Sequence, residues 1–82
     1  MLKAKTLTIG NIYVPTKRRR MFELTRVEKI AESILERGQT TPILVREDGQ
    51  RFVLIEGFHR LEACKALGEK TILAFLVQAR LH

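Results

Sequence analysis

Residues 51–68, RFVLIEGFHRLEACKALG, constrain the fold more than any other part of the chain. The first six carry apolar side chains on both alternating faces, which is typical of a central strand covered on both sides. Gly57 then permits a sharp turn, and Gly68 is a natural helix end. The residues between the two glycines offer four side chains for packing, namely Leu61, Ala63, Cys64 and Leu67. The segment therefore predicts a buried strand, a tight turn at Gly57 and a helix.

The first half of the chain predicts short strands and one longer helix. Residues 6–14, TLTIGNIYV, are rich in β-branched side chains and predict one or two strands interrupted at the Gly-Asn pair, followed by an irregular basic connection over residues 15–24. Thr25 and Glu28 match a T-x-x-E capping box, which predicts a helix from about residue 26 to Gly38. Its apolar positions predict one core face, made of Val27, Ile30, Ala31, Ile34 and Leu35.

The second half predicts a β-hairpin and a last strand. The runs PILVR, residues 42–46, and RFVLIE, residues 51–56, flank EDGQ, which contains an Asp-Gly turn pair. Residues 71–77, TILAFLV, supply the final strand. The order is β, α, β-hairpin, α, β. Residues 1–82 are thus expected to form a single α+β domain with a mixed sheet, a hairpin and two main helices.

Charge is unevenly distributed along the chain. The net charge is +6, and residues 1–20 carry six basic groups and no acid, whereas the other residues balance nine basic against nine acidic groups. The compact run TKRRR places Lys17, Arg18, Arg19 and Arg20 together. Such a run suits nucleic-acid phosphates, a nucleotide or an acidic partner, and a solvated loop is the alternative.

Three observations bear on the compartment and on metals. No apolar stretch is long enough to span a membrane, and a single cysteine, Cys64, cannot form an internal disulfide. A reducing cytoplasm is the expected location. His59, His82 and Cys64 lack a zinc-binding spacing, so no metal site is predicted.

The turn at Gly57 predicts an anion site. A helix that begins there leaves backbone N–H groups unpaired and carries a positive partial charge, which favours phosphate beside Gly57, Phe58, His59 and Arg60. Basic side chains in a first turn oppose the helix dipole at a cost of about 0.3–1 kcal/mol each, which an anion would remove. The alternative is a plain tight turn with both side chains in solvent. The glycine spacing matches neither the Walker nor the dinucleotide-binding motif.

Two further sets of polar residues could border this site. At 100° per residue, Arg26, Ser33 and Arg37 line up along one flank of the first helix, with Lys29 beside them. That flank would contact a bound anion or, alternatively, would pair with the glutamates of the helix in solvent. Glu56 is the acid beside the anion site and could hold Mg²⁺ or act as a base, unless it is an ordinary polar strand end.

The two motifs AESILERGQTTPILVR and LIEGFHRLEACKALGEKTI, preceded by the basic VPTKRRR, resemble the fold shared by ParB N-terminal domains and sulfiredoxins. Those families read Gly-Glu-Arg-Arg and Gly-Cys-His-Arg where this chain reads Gly-Phe-His-Arg, and both use the motif to hold nucleotide phosphates. The resemblance implies ATP or CTP with Mg²⁺ as ligand. It also implies that Arg26, Lys29 and Ser33 face the nucleotide and that Gln39 and Thr40 approach it.

Sequence differences from both families limit which of their functions this chain is expected to share. Phe58 replaces the reactive cysteine of sulfiredoxins, so sulfinic-acid repair is not expected. It also replaces the ParB glutamate, and His59 replaces the first ParB arginine, while Arg60 fits the pattern. The helix-turn-helix and dimerisation regions of a full ParB do not occur in these 82 residues, so operator recognition is expected to come from a partner or from further sequence.

Three functions follow from these observations. The first is a nucleotide-phosphate-binding, ParB-like domain that serves a DNA-associated partition or regulatory process, with DNA, a protein partner or a second copy of the chain as candidate partners. The second is an ATP-dependent phosphoryl-transfer enzyme or nuclease of the same fold, with Glu56 as the catalytic candidate. The third is a non-catalytic interaction module. Nucleotide binding separates the first two from the third, and turnover separates the first from the second.

Overall fold

The computed structural model describes residues 3–78, so His82 lies outside the described residues. The elements in chain order are β1 (Ala4–Thr8), a 3₁₀ turn (Ile9–Asn11), β2 (Ile12–Tyr13), α1 (Thr16–Arg19), α2 (Leu24–Arg37), β3 (Ile43–Asp48), β4 (Arg51–Glu56), α3 (Phe58–Ala66) and β5 (Thr71–Leu76). The 3₁₀ turn falls at the predicted interruption between the first two strands. None of the helices in residues 3–78 is long and apolar enough to cross a membrane.

The five strands form one mixed sheet in the order β1-β5-β3-β4-β2. The pairs β1–β5 and β3–β4 are antiparallel, whereas β3–β5 and β2–β4 are parallel. The β3–β4 pair is the predicted hairpin, and Gly49 at its turn has a positive φ of 65°. β4 has neighbours on both sides, as its apolar faces predict, although the middle of the sheet belongs to β3. The α+β fold class is confirmed.

The core lies between one face of the sheet and α3. Its fully buried side chains come from three strands and one helix: Ile43, Val45, Leu54, Leu61 and Ile72. Burying a side chain of this size stabilises the fold by about 1.5–3 kcal/mol. Ala63 and Cys64 are buried as predicted, whereas Leu67, the fourth residue predicted to pack, is only half-buried. This core fixes α3, and with it the turn at Gly57, against the middle strand.

α2 begins earlier than predicted and buries less. Its first residue is Leu24, and the carbonyl of Glu23 accepts the amides of Arg26 and Val27, so Thr25 lies inside the helix and the predicted capping box does not form. The helix ends at Arg37 before Gly38, as predicted.

The predicted core face of α2 is also too wide. Leu35 is 73% exposed, and Val27 is the one fully buried residue of the helix. The rest of that face is half-buried because α2 packs on α3 at the edge of the domain rather than across the sheet.

Residues 15–24 are not wholly irregular, because they contain the one-turn helix α1. The carbonyl of Pro15 accepts the amides of Arg18 and Arg19 at 3.0 and 3.4 Å. Pro15 is the N-cap residue, with φ −59° and ψ 146°, and its ring fixes φ and leaves no amide to satisfy at the start of the helix. No residue of α1 is buried. A basic run without apolar periodicity gives no indication of such a helix in the sequence.

Candidate functional site

The junction of β4 and α3 depends on the left-handed conformation of Gly57. Its φ is 104° and its ψ is 30°, and its carbonyl accepts the amide of Leu61 at 2.9 Å as the first bond of the helix. A Cβ atom at this position would lie 2.7 Å from Cγ2 and 3.0 Å from Cβ of Ile43. The turn therefore needs glycine for its conformation and for its close approach to the middle strand. This is the predicted strand–glycine–helix junction.

A pocket of about 250 Å³ opens beside this turn. Gly57, Phe58, His59 and Arg60 form one wall, while α2, α1 and the segment after α1 supply the rest: Arg26, Ile30, Arg18 and Met21. Three arginines from three different helices thus line one cavity. No carboxylate lines it within residues 3–78. The pocket is suited to an anion with several oxygens, because guanidinium groups bind such oxygens in pairs.

His59 makes a hydrogen bond that the sequence did not predict. The backbone amide of Glu23 donates to Nε2 of His59 at 3.1 Å, across 36 residues. The imidazole also stacks on Phe22 at a centroid distance of 6.5 Å and an interplanar angle of 26°. Because Nε2 accepts, a neutral His59 ring carries its proton on Nδ1. The donor that this residue can offer to a ligand is therefore Nδ1–H.

Phe58 is an anchor of the core rather than a reactive position. It is only 9% exposed, and its ring meets Phe22 edge-on at 6.2 Å and His59 at 5.4 Å. Such aromatic pairs contribute about 0.5–1.5 kcal/mol each beyond the area that they bury. The three rings fasten the segment before α2 to the start of α3. Phe58 therefore holds the walls of the pocket together.

The other predicted ligand residues lie outside the pocket. Lys29 and Ser33 are exposed on α2. The cavity takes only Arg26 and Ile30 from this helix, so Ser33 lies further along the same flank and Lys29 lies to one side. Thr40 is exposed in the loop after α2, and Glu56 is exposed at the end of β4. These residues could reach only a ligand that extends beyond the cavity.

Gln39 has a defined role in the sheet. Its amide nitrogen donates to the carbonyl of Leu73 at 2.9 Å, and its amide oxygen accepts the Leu73 amide at 2.7 Å. Its amide nitrogen also lies 3.1 Å from the carbonyl of Thr41. The side chain thus pairs with β5 just before β3 begins. A ligand contact by this side chain would have to compete with these hydrogen bonds.

The basic run divides between the pocket and the surface. Arg18 lines the pocket, whereas Lys17, Arg19 and Arg20 are exposed around it. Met21 and Ile30 were not predicted, because apolar residues give no indication of an anion site. Arg18 was expected to bind nucleic acid, a nucleotide or an acidic partner as part of the basic run, and its separation from the rest of the run was not predicted because α1 was not.

Cys64 offers a test of how tightly α3 is packed. Burial raises the pKa of its thiol, and the nearby Glu69 carboxylate raises it further, while the Arg60 guanidinium lowers it. We expect iodoacetamide to alkylate Cys64 more than about tenfold more slowly in the native protein than in the unfolded chain, because access requires local opening. Mass spectrometry of time points at pH 8 would measure this. Equal rates in both states would show that α3 opens freely.

Comparisons with known proteins identify the family of the chain. The model of the ParB N-terminal domain family matches residues 2–81. The probable chromosome-partitioning protein ParB of Campylobacter jejuni is 44% identical over 62 residues, which are 76% of this chain and 22% of that protein. The chain spans about a fifth of the length of the curated relatives it matches.

Solved structures share the fold. Sulfiredoxin from Arabidopsis thaliana matches with a TM-score of 0.85 at 28% identity, over 94% of this chain and 86% of that chain. The C-terminally truncated ParB of Caulobacter crescentus, complexed with CTP-γ-S, matches with a TM-score of 0.82 at 24% identity, over 95% of this chain and 46% of that chain.

Proposed function

The chain belongs to the ParB N-terminal domain family, and on that basis we propose that it binds a nucleoside triphosphate, CTP or ATP, in the pocket beside Gly57. The process it serves would be DNA partition or its regulation. The observation that carries the proposal is the meeting of Arg18, Arg26 and Arg60 with His59 around one cavity. The names of its relatives and the CTP-γ-S in one fold neighbour support it further.

Each wall of the pocket has a role in this proposal. Arg60 and the first amides of α3 would bind phosphate oxygens, Arg26 and Arg18 would close the opposite side, and His59 would donate through Nδ1–H. A volume of about 250 Å³ lies below the roughly 300–1,000 Å³ of pockets that enclose whole small-molecule ligands. The cavity would therefore take the phosphate end and leave the base and sugar outside, where the exposed Lys29 and Ser33 would contact them.

Mg²⁺ would be held mainly by the nucleotide. The side chains that line the pocket in residues 3–78 include no carboxylate, so the protein offers no strong oxygen ligand inside it. Mg²⁺ keeps several waters and binds substrate phosphates readily, which suits entry with the triphosphate. Glu56 is the acid closest in sequence to the motif and would be the residue to contact the ion or its water.

The exposed basic side chains of the basic run would bind DNA. Lys17, Arg19 and Arg20 remain outside the cavity and would contact phosphates of the DNA backbone, which position a protein without reading sequence. Sequence recognition would then depend on a protein partner, a second copy of the chain or further sequence. Sulfiredoxin chemistry is not part of the proposal, because Phe58 occupies the position of the reactive cysteine.

Equilibrium titration with a panel of nucleotides tests the proposal. CTP, ATP and GTP, and the matching diphosphates, would be titrated into the protein with and without Mg²⁺. We expect at least one triphosphate to bind, and to bind more tightly than its diphosphate, because the cavity encloses phosphates. The absence of binding by every nucleotide at millimolar concentration would overturn the proposal.

A turnover assay on the same samples separates a binding domain from an enzyme. Under the proposal, nucleotide is bound without rapid turnover. Release of phosphate that depends on protein and disappears in Glu56→Gln would favour the phosphoryl-transfer alternative instead.

A further inference from the structure

The hydrogen bond between the Glu23 amide and His59 caps the N-terminus of α2 with a side chain from another helix. Glu23 is the N-cap residue, and its own side chain makes no capping hydrogen bond. In a capping box, the N-cap amide is bound by a Glu or Gln three residues later. That position is Arg26 here, which has no acceptor. His59, from the first turn of α3, supplies the acceptor instead, at 3.1 Å.

This bond exists only while His59 is neutral. An imidazole accepts at Nε2 when that nitrogen lacks a proton, and both nitrogens donate once the ring is protonated. Histidine exchanges this proton in the physiological range more readily than any other side chain. The N-terminal cap of α2 therefore depends on the protonation state of a residue that lines the pocket.

The charged groups around His59 would make its protonation state depend on whether an anion is bound. Arg18, Arg26 and Arg60 line the pocket from α1, α2 and α3, and the exposed Glu23 carboxylate, outside the pocket, pairs with Arg26 at 3.9 Å. A polyphosphate among these groups places several negative charges next to the imidazole, and nearby opposite charge favours the protonated ring. A charge-assisted bond to phosphate is roughly twice as strong as the neutral bond to the Glu23 amide.

We propose that His59 is a positioning residue that couples proton uptake and polyphosphate binding to the start of α2. While neutral, it holds the Glu23 amide and keeps Arg26, three residues further on, at the pocket. When phosphates favour a second proton on the ring, Nε2 can no longer accept the Glu23 amide, His59 donates to phosphate, and the segment between α1 and α2 is released. The inference rests on the proposed function for the identity of the ligand, although not for the hydrogen bond itself.

The free protein provides the first test, with no nucleotide present. Nuclear magnetic resonance would follow the Glu23 amide and the His59 ring protons from about pH 5 to pH 8, the range in which histidines titrate. We expect the Glu23 amide shift to follow the His59 titration curve in the wild type and to stay flat in His59→Gln, which keeps an acceptor but cannot titrate there. The Leu61 amide, bound to Gly57, is the internal control. A Glu23 shift independent of His59 would overturn the proposal.

Nucleotide binding at two pH values provides the second test. The wild type should bind the triphosphate about three- to tenfold more tightly at pH 6 than at pH 8, after division by the same ratio for His59→Gln. This lies within the limit set by one linked proton, which is about tenfold per pH unit and so about a hundredfold over this interval. The variant corrects for titration of the nucleotide itself. The same pH dependence in both proteins would overturn the coupling. If no nucleotide binds, the proposed function fails, while the free-protein titration still decides whether His59 controls the Glu23 amide.

Discussion

Substitution of Gly57 by alanine should lower the free energy of unfolding by about 2–5 kcal/mol. A non-glycine residue in the left-handed region costs about 1–2 kcal/mol. The added methyl group would also lie 2.7 Å from Cγ2 of Ile43, a side chain that is 1% exposed and cannot move aside without disturbing the core. Overpacking of this kind costs about 1–3 kcal/mol. The two costs add because one is backbone strain and the other is a steric contact.

Gly68→Ala is the matched control for this prediction. Gly68 follows the other end of α3 with a φ of 78°, but nothing lies within 4 Å of an added Cβ. Urea denaturation of the two variants should give a loss of only about 1–2 kcal/mol for Gly68→Ala. The difference between the variants measures the contact with Ile43. Equal losses would show that β3 yields at Ile43 and that the close approach does not matter.

The loss of stability expected for Gly57→Ala also shows that the site depends on the packing of the core. The glycine that exposes the first amides of α3 is the same residue that lets α3 approach the middle strand. Loss of ligand binding in Gly57→Ala would therefore not distinguish a damaged site from a damaged fold. A side chain that lines the pocket without supporting the core gives the cleaner test, and Arg60 meets that requirement because it is only half-buried.

The elements that the sequence predicted well are those with local causes. The hairpin follows from an Asp-Gly pair between two apolar runs, and the turn at Gly57 follows from a glycine between a buried strand and a helix. The end of α3 is equally local: the amides of Gly68 and Glu69 bond to the carbonyls of Lys65 and Cys64, the pattern in which a glycine closes a helix.

The start of α2 was mispredicted because its cause is not local. Thr25 and Glu28 have the spacing of a capping box, but the chain begins the helix earlier, where His59 from another helix binds the amide of Glu23. No pattern within residues 23–28 indicates a partner 36 positions away. Leu35 fits the helical template yet faces solvent, because the template cannot tell how far a helix lies from the sheet.

The residues of the candidate site that come from the turn at Gly57 were predictable, and most of those that come from other elements were not. Gly57, His59 and Arg60 are adjacent in the chain, so one motif predicts them together. Arg26 was expected on the correct flank of α2, whereas Lys29 and Ser33 do not line the cavity, because it extends along only one turn of that helix. Met21 and Arg18 reach the pocket through the turn of α1, which depends on where Pro15 directs the chain. Which side chains meet across elements depends on packing angles that periodicity does not contain.

Substitution of Arg60 by alanine should weaken triphosphate binding by about ten- to a hundredfold. Hydrogen bonds between charged partners contribute about 1.5–3 kcal/mol each, and about 1.4 kcal/mol corresponds to a factor of ten in affinity. Arg60 lies in the first turn of α3, where it and the unpaired backbone amides would act on the same phosphate. Calorimetric titration at fixed ionic strength would measure the change, because salt alone weakens binding between such charges.

Two variants decide whether that loss belongs to the pocket. Arg37→Ala removes the same charge from the exposed end of α2, outside the cavity, and should change affinity less than twofold because solvent and salt screen it. Arg60→Lys keeps the charge but loses the planar pair of donors, so its affinity should lie between those of the wild type and Arg60→Ala. Equal losses in Arg37→Ala and Arg60→Ala would mean that net charge attracts the nucleotide and that the cavity beside Gly57 is not its binding site.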